Sequence, residues 1–309
     1  MPATRHDGPS RGGAHGEWQK RMPDHEPWSE GGSRRCVRQG MTDVVLDRSV
    51  LGWRSTRDVR GASGVSVGML LGRLAQQPDA AVWDELEDRL VVEGECCCSA
   101  GFAALPELGR LAEFGTDEHR DRALDLAATI VRTLHRYDEH DDLVRANPEA
   151  LAVLHRLAQA RLRGCAGPEL VRQLQDTLAF AGYTLWASIS LDFTDEHYHL
   201  DCPHCTTRLA IVIGDYGRYS AIRDHNDGDI HRVPLSPAEP EDLTGIGRWV
   251  HGIATMGGDT TLADGLTCLF GRATCSMCGS RFNLADWLEA EYSPGQPIDP
   301  IVPRTDRSA

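Results

Sequence analysis

From Val65 to Leu191 the apolar residues recur at spacings of three and four, the period of helices that bury one face. The pattern predicts helices in pairs. The first pair is Val65–Gln76 and Ala80–Val92, the latter carrying Trp83, Leu86 and Leu90 on one face. A second pair opens near Ser99 and runs through Phe102, Leu105, Leu108, Leu111 and Ala112. Gly115 suits a left-handed cap after it, and Thr116 suits the N-cap of the partner over Asp117–Tyr137. The third pair begins at Asn147-Pro148, an N-cap with proline at the first helical position, and closes at Gly164. Its partner runs from Pro168 to about Trp186. The steps between pair starts fall around the ~40–47 residues of HEAT-type helix pairs, so stacked α-α repeats are expected over residues 43–190.

After Asp192 the period changes. Tyr198-His199-Leu200 leads into Cys202-Pro203-His204-Cys205, and Arg208-Leu209-Ala210-Ile211-Val212-Ile213 leaves it, rich in strand formers. Strand, tight turn and strand make a zinc knuckle. Residues 214–235 read as a loop, and Ser236-Pro237-Ala238-Glu239 reads as a capping box opening a helix. Asp259 caps a shorter helix, and Cys275-Ser276-Met277-Cys278 follows with Gly279 at the turn. A last helix starts at Asn283 with Leu284, Trp287 and Leu288 on one face. Residues 191–292 thus form a small α+β module, a zinc ribbon split by a helical insertion. Residues 1–42, with glycine pairs, scattered proline and almost no aliphatic side chains, read as a disordered extension. Residues 293–309 read as a flexible tail.

Composition narrows the function classes. Hydrophobic residues make up 41% and charged residues 25%, so a sizeable core is available. No apolar run approaches the ~20 residues of a membrane span, and the N-terminus has no apolar signal core, so a cytoplasmic protein is expected. The formal charge is −14; residues 1–42 hold seven Lys+Arg against five Asp+Glu, a balance of +2, which leaves −16 on residues 43–309. That charge repels phosphate backbones, and no dense basic run offsets it, so nucleic acid is an unfavoured partner.

Four of the ten cysteines sit in the two Cys-x-x-Cys hooks: Cys202, Cys205, Cys275 and Cys278. Four thiolates suit one tetrahedral Zn²⁺, and a shell without an open position is structural rather than catalytic. His197, His199 and His204 lie close enough in sequence to replace or add a ligand, which would make an open, enzymatic zinc site. Cys96-Cys97-Cys98 and Cys268 read as small buried thiols.

Other catalytic patterns lack their context. Gly64-Val65-Ser66-Val67-Gly68 spells a nucleophile elbow, but a polar segment precedes it where a strand is needed. A zinc deaminase needs His-x-Glu upstream of Pro-Cys-x-x-Cys; the one upstream match is His15-Gly16-Glu17, in the extension read as disordered, and no proline precedes either hook. Asp117-Glu118-His119 and Asp138-Glu139-His140-Asp141-Asp142 read as solvated charge.

Trp83-Asp84-Glu85-Leu86, with Ala100-Gly101-Phe102-Ala103-Ala104-Leu105-Pro106-Glu107-Leu108, resembles a group of uncharacterised actinobacterial HEAT-repeat-like proteins. The stretch from the first hook through Gly214-Asp215-Tyr216-Gly217 to Leu269-Phe270-Gly271-Arg272-Ala273-Thr274 and the second hook is similar to the zinc-ribbon tail some of them carry. The resemblance implies binding of another protein, in an adaptor, regulatory or toxin-neutralising role. A nucleic-acid-binding zinc ribbon and a zinc-dependent enzyme are the alternatives.

Overall fold

A computed structural model describes residues 50–77, 79–96, 98–133, 146–222 and 231–292. The expected extension at 1–42, the tail at 293–309 and the acidic run at 138–142 lie outside the described residues. The described chain is mainly helical, with eleven α-helices and two small antiparallel sheets near the C-terminal end.

The helices are α1 Val50–Ser55, α2 Val65–Gln76, α3 Ala80–Leu90, α4 Ser99–Phe114, α5 Asp117–Arg132, α6 Pro148–Leu162, α7 Glu169–Phe180 and α8 Thr184–Ser188. Asp79 caps α3, its carboxylate accepting from Ala81 N, and Thr116 caps α5, accepting from His119 N. Helices α2–α3, α4–α5 and α6–α7 pack as successive pairs. The first helices, α2, α4 and α6, touch in order, as do the second helices, α3, α5 and α7. Trp83, Leu86 and Leu90 of α3, Phe102, Leu105 and Leu108 of α4, and Leu124, Ile130 and Val131 of α5 are sealed from solvent between them. Each such side chain contributes about 1.5–3 kcal/mol on burial.

Two local expectations fail here. Gly115 is extended (φ −78°, ψ 174°), not left-handed. Its glycine is set by space, because a Cβ there would sit 2.4 Å from Leu111 O as the chain enters α5 at once. The last helix does not reach Trp186; α7 ends at Phe180, and Gly182 at φ +83° turns the chain into α8.

Strands β1 Asp195–Asp201, β2 Arg208–Gly214, β3 Gly217–Ala221 and β4 Val233–Pro234 form one antiparallel sheet in that order. Leu209, Ile211 and Ile213 of β2 join the main core, while Val212 packs with Tyr219 and Ala221 on the other face. A strand buried on both faces reads as a continuous apolar run, which is why β2 shows no alternation. The stretch expected as loop therefore holds two strands, β3 and β4. The insertion continues through a 3₁₀ turn at Pro240–Asp242, α9 Gly245–Met256 and α10 Thr260–Leu269. It returns as β5 Arg272–Thr274 and β6 Arg281–Asn283, followed by α11 Leu284–Tyr292.

The capping box at Ser236 does not form. Ser236 instead pairs with Arg272, each backbone N–H donating to the other's carbonyl at 2.9 Å, and α9 starts only at Gly245, after Thr244 at the N-cap position. A long-range strand pairing wins over the local cap. The close approach requires Gly271, where a Cβ would lie 2.3 Å from Ser236 O. Asp259 does cap α10, accepting from Leu262 N at 2.9 Å.

The module shares its core with the helices. Trp186 of α8 lies against Phe270, ring centroids 4.9 Å apart, and its indole N–H donates to Glu289 of α11 at 2.6 Å. No described helix is long and apolar enough to cross a membrane.

Candidate metal centre

Each hook is the loop of a hairpin. Asp201 pairs with Arg208 at the end of β1–β2, so Cys202–Thr207 makes the first loop. Thr274 pairs with Arg281 at the end of β5–β6, so Cys275–Ser280 makes the second. The loops match bond for bond. Cys202 N donates to Thr207 O and Thr206 N to Cys202 O, both at 2.9 Å. Cys275 N donates to Ser280 O and Gly279 N to Cys275 O, again at 2.9 Å.

Two features bring the loops together across the insertion. The Ser236–Arg272 pairing docks β5 beside β4, and the fully buried Ser220 hydroxyl of β3 donates to Thr274 O at 2.5 Å. The outer edge of β1 is held by α11. Asp201 N donates to Glu291 Oε2 at 2.8 Å, Trp287 Nε1 donates to Asp201 O at 2.5 Å, and the Tyr292 hydroxyl donates to His199 O.

The four sulfurs converge within 4.8 Å of one another. Cys202 Sγ lies 3.8 Å from Cys278 Sγ, and Cys205 Sγ lies 3.7 Å from Cys275 Sγ. Four thiolates at the zinc–sulfur distance of about 2.3 Å around a tetrahedral ion have edges of about 3.8 Å. Both pairs bridge the hooks, so the cluster is the junction between the hairpins. It fits one metal ion.

The thiols differ in their environment. Burial pushes the Cys202 thiol up to about 12, against the His204 backbone N–H that approaches its sulfur at 3.5 Å. The Ser280 hydroxyl and backbone N–H hold the exposed Cys278 thiol down, at about 6. Thr207 lowers the Cys205 thiol, its Oγ1 lying 3.2 Å from the sulfur. A cation held at the centre would supply the positive charge that ionises Cys202. Thr207 and Ser280 are functional groups that the hook spacing alone does not reveal. Their trace is the shared ending, Cys205-Thr206-Thr207-Arg208 and Cys278-Gly279-Ser280-Arg281.

The matching arginines diverge. Arg208 binds Asp201 at 3.2 Å and Glu291 at 2.8 Å, whereas Arg281 donates to Ser236 Oγ at 2.8 Å. Among the described residues the metal-site cluster consists of the four cysteines alone; His197 and His199 stay on β1, and His204 is exposed at the hook's apex.

Other marked residues fall elsewhere. Ser66 sits in the first turn of α2 with no strand before it, and its Oγ accepts from Arg89 at 3.2 Å. His119 is not solvated charge: it is 3% exposed and its Nδ1 accepts from Trp83 Nε1 at 3.1 Å. Cys96, Cys98 and Cys268 are buried, as expected of small core thiols. No protein-family model, no curated protein and no solved structure matches the chain.

Proposed function

We propose that this protein is a non-enzymatic interaction protein, adaptor, regulatory or toxin-neutralising, whose C-terminal module is clasped by structural Zn²⁺. The observation that carries the zinc assignment is the four-thiol junction, with inter-hook sulfur distances of 3.7 and 3.8 Å. Soft thiolates in a tetrahedral set favour zinc over hard cations, and four protein ligands leave no position for substrate or water. Zinc there closes the two hairpins onto each other, so its binding energy is folding energy of the module.

The binding surface in this reading is the helical part. Successive pairs stacked first helix on first and second on second make a HEAT-like array, which offers an extended face to another protein. The strongly acidic balance disfavours nucleic acid as that partner. Reduced thiols in this number fit a cytoplasmic location.

Metal analysis of purified wild type against Cys205→Ser tests the clasp. Stoichiometric zinc in wild type and a loss in the variant are expected; equal content in both overturns the assignment. Affinity capture with the full chain tests the role. A protein retained by wild type and released when exposed residues of the helix pairs are substituted supports it, and nucleic acid retained in a salt-sensitive way overturns it.

A further inference from the structure

Away from the metal centre, a second pair of thiols is placed for chemistry. Cys96 Sγ and Cys98 Sγ lie 4.0 Å apart, directly before α4. Cys98 is the N-cap residue of that 16-residue helix. A thiolate there lies at the positive end of the helix dipole, beside the backbone N–H groups of Ala100 and Gly101, the environment that makes a cysteine nucleophilic.

The surroundings hold the pair in place. Val92 and Glu95 exchange backbone hydrogen bonds at 2.9 Å around a tight turn, with Glu93 at φ +52° and Gly94 at φ +82°. The Thr133 hydroxyl at the end of α5 donates to Cys96 O at 2.9 Å. Gly101 makes room for the pair, since a Cβ there would lie 2.3 Å from Cys96 Sγ. The two thiols also differ in access: Cys96 is fully buried, whereas Cys98 keeps 5% exposure. The hydrogen bond from Cys96, first among several influences, lowers the pKa of the Cys98 thiol despite its burial.

We propose that Cys96 and Cys98 form a reversible redox pair, oxidised to a disulfide by hydrogen peroxide with Cys98 as the attacking thiolate and Cys96 as the resolving one. The Cys98 thiolate attacks one peroxide oxygen, the O–O bond breaks, and the departing hydroxide takes a proton to leave as water. Cys98 is then a sulfenic acid. The Cys96 sulfur attacks the Cys98 sulfur, its proton goes to the departing hydroxide, and a second water leaves as the S–S bond forms. Two thiols lose two electrons, and one peroxide becomes two waters. Closing the gap from 4.0 Å to a bond of about 2.05 Å asks each sulfur to move about 1 Å, within side-chain rotation. Intracellular disulfides of this kind are transient and redox-sensing rather than structural.

This inference does not depend on the zinc reading and is tested on the zinc-loaded full chain. Hydrogen peroxide treatment is followed by alkylation and mapping of the tryptic segment from Leu90 to Arg110, which carries Cys96, Cys97 and Cys98. The expected product has lost two hydrogens, takes one alkyl group, on Cys97, and regains three alkylation sites after dithiothreitol. It should form at least about tenfold faster than Cys268 is oxidised, because burial raises that thiol. In Cys96→Ser the sulfenic acid should persist on Cys98 and be trapped by dimedone; in Cys98→Ser no adduct should form on Cys96. Three alkylation sites surviving in wild type, a disulfide using Cys97, or irreversible sulfinic acid overturns the proposal. The wild-type map decides even if a variant fails to fold.

Discussion

Thr206 and Gly279 occupy the same position in the two metal hairpins, one residue past the second cysteine of each hook, and both are left-handed at φ +57° and +73°. Glycine adopts that conformation without strain; a β-branched residue does so at a cost of about 1–2 kcal/mol. The first hairpin therefore carries strain that the second does not.

Thr206→Gly should raise stability by about 0.5–1 kcal/mol, the relief of strain being partly offset by the greater freedom of glycine in the unfolded chain. Gly279→Ala should lower it by about 1 kcal/mol. Chemical denaturation of the metal-loaded proteins reads both. Two substitutions of equal sign would mean that the hairpins are not equivalent.

Removing the metal tests how the hairpins are held. Among the described residues the hooks meet across the sulfur cluster, and the contacts of Ser220 and Ser236 and of α11 with β1 hold the hairpins beside it. A chelator should therefore raise hydrogen exchange in β1, β2, β5 and β6 well before α4 and α5, whose burial is independent of the site. Acid should have the same effect as chelation, because protons compete for the thiolates and affinity falls with pH. Uniform loosening of the whole chain, or none, would contradict a local clasp.

The parts of this architecture visible in the sequence are those fixed by neighbours along the chain. The bounds of α2, the start of α4 at Ser99, and the caps at Thr116 and Asp259 follow from local periodicity and capping chemistry. The hooks were equally legible, since ligand type and spacing are local. What stayed hidden depends on distant partners. Arg218-Tyr219-Ser220 has no strong strand pattern of its own; it is a strand because β2 presents an open edge to it. Ser236 has every feature of a cap, and Arg272 takes it. His119 lies in a polar run that looks solvated, yet helix geometry turns it inward onto Trp83.

Asp176 on α7 gives the chain a pH dependence of known sign. Its side chain is 5% exposed, and it meets Arg132 at 2.7 Å and Arg172 at 3.6 Å. Burial pushes its carboxyl up to about 6, and the arginines pull it only part of the way back. A carboxyl raised in the folded state contributes stability that is fully present below its ordinary value of 3.8 and lost as pH rises through about 6. At about 1.4 kcal/mol per unit, wild type should lose on the order of 3 kcal/mol relative to Asp176→Asn between these limits. Denaturation of both proteins across this range isolates the effect, since their other titrations cancel. A flat or rising difference would show that the ion pairs outweigh burial.

The Trp83–His119 contact joins α3 to α5 inside the core. Indole nitrogen only donates, so His119 Nδ1 must accept, which places the imidazole proton on Nε2. Among the described residues that buried Nε2 has no hydrogen-bond partner. The histidine thus already carries one unmet donor and depends on Trp83 for the other nitrogen. Trp83→Phe should cost about 3 kcal/mol, from the lost volume and the orphaned acceptor together. His119→Phe removes the unmet donor but strands the indole N–H, so it should also destabilise. Replacing both leaves no buried polar atom in need of a partner. The double variant should therefore be less destabilised than the sum of the singles, by about 1–2 kcal/mol. A double-mutant cycle in urea measures this directly. Strict additivity would show that the 3.1 Å contact contributes nothing beyond packing.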